Sequence, residues 1–345
     1  MSETALYRKY RPHDFGGVLG QEHIVRALEG SIKSGNIAHA YLFCGSRGTG
    51  KTSIARIFAN AIGTTAKDLY EIDAASNTGV DDVRELREGV KTFPFDSKYK
   101  VYIFDEVHML SKSAFNALLK TLEEPPAHVI FILATTEIHK VPETVLSRCQ
   151  VFTFKKPPIE ILKNLILDIA KKEGRVLENA SADLIALLGD GSFRDTLVTL
   201  QKVLYSTDVK KIPAEEVERI TGVPKSAIVN EFLSAINDQN APRAFSAIRK
   251  ITDENIDISV FLKLVLSKFR AVMLIRFAPD MRASIADEFT VEDYKFLSEL
   301  SVNKELKLSE VLISLLDALG SVGKSFIPEL PLEIAISKLF EKNEL

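Results

Sequence analysis

Cysteine is scarce in this 345-residue chain, long apolar runs are missing, and so is any strong excess of one charge. Two cysteines, Cys44 and Cys149, cannot build a disulfide framework. No stretch approaches the ~20 consecutive apolar residues of a membrane helix. The opening residues, Met1 to Phe15, lack the apolar centre of a signal peptide. A soluble cytoplasmic protein is the expectation. The formal net charge is −3. Residues 1–158 hold 20 Lys and Arg against 18 Asp and Glu, and the remainder hold 24 against 29. Contact with a phosphate backbone would therefore need locally placed cations, since bulk charge does not supply it. Internal repeats and low-complexity segments are absent too. What remains is ordinary globular composition, 46% hydrophobic and 26% charged, long enough for two to three domains.

The first ~155 residues alternate two patterns. Short apolar, β-rich runs occur at Ala40–Cys44, Leu69–Asp73, Val101–Asp105, Val129–Ala134 and Gln150–Phe154. Helical patterns lie at Gln21–Ser34, Ser53–Ile62, Val80–Val90 and Ser113–Leu122. Such alternation predicts βαβ units and a parallel sheet covered on both faces. The strand signal stops at Lys155-Lys156-Pro157-Pro158, and the pattern beyond reads as helical. Helices are expected over Ile159–Lys172, Ser181–Leu188 and Ser192–Tyr205, with a second boundary at Thr221-Gly222-Val223-Pro224. From Ser226 five or six more amphipathic helices follow, the last Leu332–Glu341. The predicted division is an α/β nucleotide-binding domain over 1–157, a small helical domain over 158–222 and an all-α domain over 223–345.

The segment Gly45-Ser46-Arg47-Gly48-Thr49-Gly50-Lys51-Thr52 fits G-x-x-x-x-G-K-[ST] at every fixed position. It lies between a predicted strand and a helix opening near Ser53, the context a phosphate-binding loop needs. Glycines let backbone N–H groups approach phosphate oxygens, and the helix N-terminus adds partial positive charge. Lys51 can reach the β- and γ-phosphates of ATP, and the Thr52 hydroxyl can ligate Mg²⁺. Val101 to Glu106 is an apolar strand ending in two acids. Beside a phosphate-binding loop, Asp105 suits the Mg²⁺ ion and Glu106 suits a general base for water. Thr135-Thr136 follows another apolar strand; a hydroxyl there could position water, though threonine also simply suits strand ends. Arg148 precedes a strand and would by itself read as a surface arginine. Arg194 opens a helix, where a cation opposes the helix dipole.

Taken together these segments resemble AAA+ ATPases, and among them the gamma/tau family of bacterial DNA polymerase III, the motors of sliding-clamp loaders. The residues that carry the resemblance are Leu6 to Pro12, Val18 to His23, His39 to Phe43, Glu71 to Ser76, Asp105 to Leu110, Phe115 to Pro126, Ala134-Thr135-Thr136, Leu146 to Cys149 and Gly191 to Asp195. The resemblance implies a RecA-like domain, a helical lid and a helical collar. It implies that Arg148 is an arginine finger acting on a neighbouring subunit's ATP, that Arg194 is the sensor-2 arginine, and that Thr136, with Thr135 close behind, is sensor 1. Tyr7, Arg11, Pro12, Val18 and Gly20 would line the adenine pocket. The implied partners are delta- and delta-prime-type loader subunits, further copies of the chain in a pentameric ring, the sliding clamp and primer–template DNA, with no membrane. The chain ends where the collar should end, so no tau-type tail is expected here.

One departure stands out. Members of that family usually carry a four-cysteine zinc module before the Asp73-Ala74-Ala75-Ser76 segment, where this chain has only Ala61–Lys67. Zinc needs about four Cys or His ligands, and the six histidines show no tight pairing. No zinc is expected. For DNA, Asn77, Thr78 and Arg84 are the nearest phosphate-contact candidates, with Lys98, Lys100, Lys112 and Lys120 as further ones. Two other functions stay open on sequence: a non-hydrolysing structural subunit of the same loader, and a AAA+ helicase or remodeller. Intact Lys51, Thr52, Asp105 and Glu106 weigh against the first.

Overall fold

A computed structural model describes residues 4–76 and 88–341. They form two compact units, one of residues up to 164 together with 189–198, the other of 165–188 together with those from 199 onward.

The first unit is built on β1 (Ala40–Cys44), β2 (Leu69–Asp73), β3 (Lys100–Asp105), β4 (Val129–Thr135) and β5 (Gln150–Thr153), all parallel, in the order β2-β3-β4-β1-β5. A parallel sheet needs cover on both faces, and alternate residues of the central strands supply two apolar layers. Ala40, Leu42, Tyr102, Phe104, Phe131 and Leu133 pack against Phe115, Leu118 and Leu122 of a helix over Lys112–Glu123. On the other face Tyr41, Phe43, Val101, Ile103, Ile130 and Ile132 pack against Ile24 and Leu28 of α2 (Glu22–Ser34), and against Ile54, Ala55 and Phe58 of α3 (Lys51–Ala61). Ahead of these lies the one-turn helix α1 (Leu6–Lys9). The Lys112–Glu123 helix is α4; it starts at Ser111, whose hydroxyl accepts the Ala114 N–H at 3.2 Å, a regular N-cap. The short α5 (Glu143–Leu146) leads into β5.

The five predicted strands fall within a residue or so of the observed ones. Helix α3 begins at Lys51, two residues earlier than the apolar pattern suggests, because Gly50 in the left-handed region ends the loop there. The helix predicted over Val80–Val90 lies mostly outside the described residues.

The chain beyond Lys155 corrects the purely helical expectation. Between α6 (Ile159–Lys172) and α7 (Asn179–Leu188) lies β6 (Val176–Leu177), and after α8 (Phe193–Tyr205) lies β7 (Lys211–Ile212); the two pair in parallel. Two-residue strands are too short to show an alternation in sequence. Helix α9 (Ala214–Thr221) ends at Gly222, φ +74°. Among the described residues seven α-helices follow: α10 (Ser226–Asn237), α11 (Ala241–Asp253), α12 (Ile258–Phe277), α13 (Arg282–Ala286), α14 (Val291–Val302), α15 (Leu308–Val322) and α16 (Leu330–Glu341). Helix α12 is the centre of this bundle, burying Phe261, Leu262, Val265, Phe269, Val272 and Ile275. Among the described residues no helix is long and apolar enough to cross a membrane.

Polar groups also reach that core. Lys268 of α12 is buried, and its ammonium donates to Asn230 Oδ1 at 2.7 Å, Asp293 Oδ1 at 2.9 Å and Ser226 Oγ at 2.5 Å. Asp293 in turn accepts from Asn230 Nδ2 at 2.7 Å and from the Ser226 hydroxyl. Burial pulls the Lys268 ammonium pKa down, and Asp293 resists that; burial pushes the Asp293 carboxyl up, but Lys268 and its neighbours hold it below the usual range. The network ties α10, α12 and α14 together. Replacing Lys268 with Met should destabilise the protein by about 3–5 kcal/mol, since Asp293 is left as a buried unpaired charge. Adding Asp293→Asn should recover part of the loss. Chemical denaturation of the single and double variants measures both.

Candidate nucleotide-binding site

The loop from Gly45 to Gly50 joins the end of β1 to the start of α3. Two of its glycines answer to close contacts. A Cβ on Gly45 (φ +150°) would sit 2.6 Å from the Phe154 carbonyl oxygen, and one on Gly48 (φ +73°) 1.9 Å from Ser192 Oγ. The Gly48 carbonyl accepts the Phe193 N–H at 2.9 Å, so the start of α8 is seated directly on the loop. Lys51 is buried in the first turn of α3, and its ammonium curls back to the carbonyls of Gly45 (2.7 Å) and Ser46 (2.9 Å). Burial pulls its pKa down, while the charges of Glu106 and Asp105 oppose that pull.

Strand order brings the remaining groups to this loop. With β4 between β1 and β3, their carboxyl ends lie side by side, where ligands bind in open α/β sheets. Thr52 Oγ1 donates to Asp105 Oδ2 at 3.0 Å, and Asp105 Oδ1 accepts the Glu106 N–H at 3.1 Å. Glu106 has φ +49°, a strained conformation for a residue with a side chain. Its Oε2 accepts from Thr136 twice, from the N–H at 3.2 Å and the hydroxyl at 3.0 Å. Thr135 faces elsewhere: it is fully buried, with Oγ1 2.9 Å from His108 Nδ1 and accepting the Glu137 N–H. Of the two threonines it is Thr136 that touches Glu106.

A second group of residues flanks the loop. The Arg194 guanidinium lies over the Tyr7 ring, 5.0 Å from its centroid. A bond from Arg8 above all, with Arg194 assisting, holds the Tyr7 phenol below its usual pKa. Gly20 (φ +70°) lies against Ile161 and Pro157; a Cβ there would be 3.3 Å from Ile161 Cδ1. Val18 packs on the apolar layer over α2 and α3, and a Cβ on Gly17 would lie 3.2 Å from Pro12 Cβ. Arg11 is partly buried near Arg56 and Glu71, which pair with each other. Burial lowers its pKa first, Arg56 lowers it further, and Glu71 counters both. Arg47 is exposed, and Ser53 lies half-buried in α3. Arg148 bonds to the Thr144 carbonyl (2.8 Å), Ser147 Oγ (3.3 Å) and Glu123 Oε1 (2.8 Å), a set that includes none of the loop residues.

Asn77, Thr78 and Arg84 lie outside the described residues. Lys100 is a correction to the list of phosphate-contact candidates. It is buried, with its ammonium on the Gly89 carbonyl and Thr92 Oγ1, each at 2.8 Å, and near the Tyr70 ring. Lys100 alternates with Val101 in the strand, and its aliphatic stem shares the apolar face that Tyr102 faces.

Sequence reasoning passed over three residues that the fold brings here. Gln21 is almost fully buried and bonds Lys155 from both ends of its amide, Nε2 to the carbonyl at 2.7 Å and Oε1 from the N–H at 3.2 Å. It fastens the Val18–Gly20 segment to the end of β5. Ser192 meets Gly48, and its hydroxyl accepts the Asp195 N–H at 3.1 Å. His108 stands beside Thr135 and Glu106. In the sequence Gln21 shows only as a polar residue just before a helix; its burial and its partner come from the fold.

These residues fit a magnesium–nucleoside triphosphate. The loop is a backbone cradle in which side chains at Gly45 or Gly48 would clash, a buried ammonium lies across it, and a hydroxyl and a carboxylate offer Mg²⁺ the oxygen ligands it favours. Gly48→Ala should weaken nucleotide binding by at least about tenfold, because the new methyl must displace Ser192 and hold a left-handed φ. Ser192→Gly in the same chain should restore part of it. Titration with a fluorescent ATP analogue measures both.

The family model described as "DNA polymerase III, delta subunit" matches residues 20–75 and 64–158. RuvB of Thermotoga maritima, a Holliday junction branch migration motor, shares the fold: the TM-score is 0.53 at 21% identity, covering 66% of this chain and 79% of that one. The tau subunit of DNA polymerase III from Bacillus subtilis is 40% identical over 87% of this chain and 57% of its own length. The chain thus spans little more than half of that relative. The gamma subunit from Buchnera aphidicola is shorter, and there the match is 34% identical over 82% of both chains. The fold is therefore the AAA+ type, a RecA-like α/β domain followed by a helical region, and the chain belongs to the gamma/tau subunit family of DNA polymerase III.

Proposed function

We propose that this chain is the ATP-hydrolysing motor subunit of a bacterial sliding-clamp loader. One observation carries the reading. Lys51, the Thr52–Asp105 pair and the Glu106–Thr136 pair meet at the ends of three adjacent strands, which is the set of groups phosphoryl transfer to water requires. Residues 1–157 would be the nucleotide-binding domain, 158–222 the lid and 223–345 the collar. Delta- and delta-prime-type subunits, further copies of the chain, the clamp and primer–template DNA would be its partners. ATP binding would organise the ring to open the clamp and grip DNA, and hydrolysis would release the closed clamp.

In the reaction, the backbone cradle of Gly45 to Gly50 would hold the phosphates. Lys51 would leave its two carbonyls for phosphate oxygens, a stronger charge-assisted contact. Thr52 and Asp105 would hold Mg²⁺, which neutralises charge on the phosphates. Glu106 would take the proton of the attacking water, oriented by Thr136. Arg194, already beside Tyr7 and Gly48, would contact the γ-phosphate from the same subunit. Tyr7, Arg11, Pro12, Val18 and Gly20 would surround the base. The bonds of Arg148 to Glu123 and Thr144 support a role outside its own pocket, as a finger in trans. No zinc is proposed: Cys44 is buried, bonded to the Phe152 carbonyl and Thr153, and burial pushes the Cys149 thiol up to about 12. Two cysteines also fall short of the four ligands that a structural zinc takes.

Glu106→Gln should uncouple binding from turnover. The amide keeps the Thr136 contact but cannot take a proton, so hydrolysis should fall about 10²–10⁴-fold while nucleotide affinity holds. Rapid-quench turnover and equilibrium binding check the two halves; turnover at the wild-type rate would remove Glu106 as base. Arg148→Ala should leave nucleotide binding by the isolated subunit unchanged and lower hydrolysis in the assembled loader by about 10³–10⁵-fold. Lysine should not rescue it. Mixing Arg148→Ala with Lys51→Ala subunits should regain part of the stimulated activity, because some interfaces then join an intact pocket to an intact finger. Elemental analysis of the purified protein should find no stoichiometric zinc.

A further inference from the structure

The His108 ring is held by polar groups from two elements, although no step of the reaction above calls on it. Its side chain is 6% exposed. It sits in the turn over Val107–Met109 that follows β3, and it faces the end of β4. Nδ1 lies 2.9 Å from Thr135 Oγ1 and 3.4 Å from Glu106 Oε2, and Nε2 lies 3.3 Å from Glu137 Oε1. Glu137 is held in turn by Lys140 at 2.8 Å, with His139 at 3.5 Å.

The Nε2–H tautomer fits both near contacts of the ring: Nε2 faces the Glu137 carboxylate, and Nδ1, whose nearest neighbour is the Thr135 hydroxyl rather than the Glu106 carboxylate, can accept from that hydroxyl. In the neutral ring Nδ1 is then an acceptor. The Thr135 hydroxyl has one proton to give, and it gives it to Nδ1 while its oxygen accepts the Glu137 N–H at 3.0 Å. The chain Glu137–His108–Thr135 thus closes on itself through the Glu137 backbone. It encloses Thr136, whose N–H and hydroxyl both hold Glu106 Oε2.

We propose that His108 is the positioning residue of the catalytic carboxylate: by fixing Thr135 and Glu137 on either side of Thr136, it sets the direction in which Thr136 presents Glu106 to the attacking water. The inference rests on the ATPase reading. It explains why a polar ring is buried there: an apolar side chain would fill the space equally well but would remove the one group that spans Thr135 Oγ1 and the Glu137 carboxylate.

The assembled loader tests it by kcat and KM for ATP. His108→Ala should lower kcat about 10- to 100-fold, the usual scale for a misplaced catalytic group, with KM within about twofold, since no phosphate contact is lost. His108→Asn keeps a polar atom at the Nδ1 position and should recover most of kcat. His108→Leu fills the volume without that atom and should not. Thr135→Val should reproduce the His108→Ala defect, and the double variant should be no worse than either single one. Rescue by Leu with none by Asn, or additive losses, would reduce His108 to a space-filling residue and overturn the proposal. A readout without turnover comes from ¹⁵N spectra of histidine-labelled chain near pH 8. His108 should be the Nε2–H tautomer, and Thr135→Val should shift its Nδ1 resonance. An Nδ1–H tautomer, or no shift, would also overturn it. If the wild-type loader and its Lys51→Ala variant hydrolyse ATP equally, the ATPase reading fails by itself, and the tautomer and the Thr135→Val shift still decide the His108–Thr135 link.

Discussion

The pairing of β4 between β1 and β3 is the constraint on which the rest of the site depends. Cys44 is in register with Thr135, and Phe104 with Leu133. Those two pairings set the phosphate-binding loop, the Asp105-Glu106 pair and the Thr135-Thr136 pair at one level along the sheet. Parallel strands that share a direction all expose their carboxyl ends on the same edge. A strand inserted between them would move Lys51 away from Asp105 by a further inter-strand spacing, about 4.8 Å. The two apolar layers, built from alternate residues of the same three strands, hold that order in place.

Three of the buried lysines, Lys51, Lys100 and Lys268, show how burial and partnership divide a cation's possible work. Lys268 is matched by a carboxylate, an amide and a hydroxyl, so it ties three helices together. Lys100 is answered by a carbonyl and a hydroxyl beneath an aromatic ring and anchors the segment around Gly89–Thr92. Lys51 rests on carbonyls of the very loop it would serve, with carboxylates acting on it at longer range. Neutral partners hold a charge in place but are readily exchanged for phosphate oxygens, because a charged acceptor makes the stronger bond.

The seating of α8 on the loop adds the first turn of that helix to the candidate nucleotide site. Phe193 bonds the Gly48 carbonyl, Ser192 fills the space that a side chain at Gly48 would take, and Arg194 reaches Tyr7. The loop and the first turn of α8 are therefore in direct contact. Gln21 performs the matching task on the other side, fastening the segment that ends at Gly20 to Lys155.

Much of this was legible in the sequence because it is local. Strand and helix periods, the glycines and Lys-Thr of the loop, and the acidic end of an apolar strand each depend on residues a few positions apart, so Gly45 to Thr52 and Asp105-Glu106 could be read as chemistry before any fold was known. The choice of Thr136 over Thr135 could not be read from spacing, because both end the same strand; only the side that faces Glu106, 30 residues away in sequence, separates them. The same holds for Gln21, whose partner is 134 residues away, for Ser192 beneath Gly48, for His108 between two elements, and for Lys100, whose ammonium turned inward. Composition and period fix which residue types exist and which face of an element they occupy. The strand order and register decide which of those faces meet, and so the pairings of single side chains belong to the tertiary structure alone.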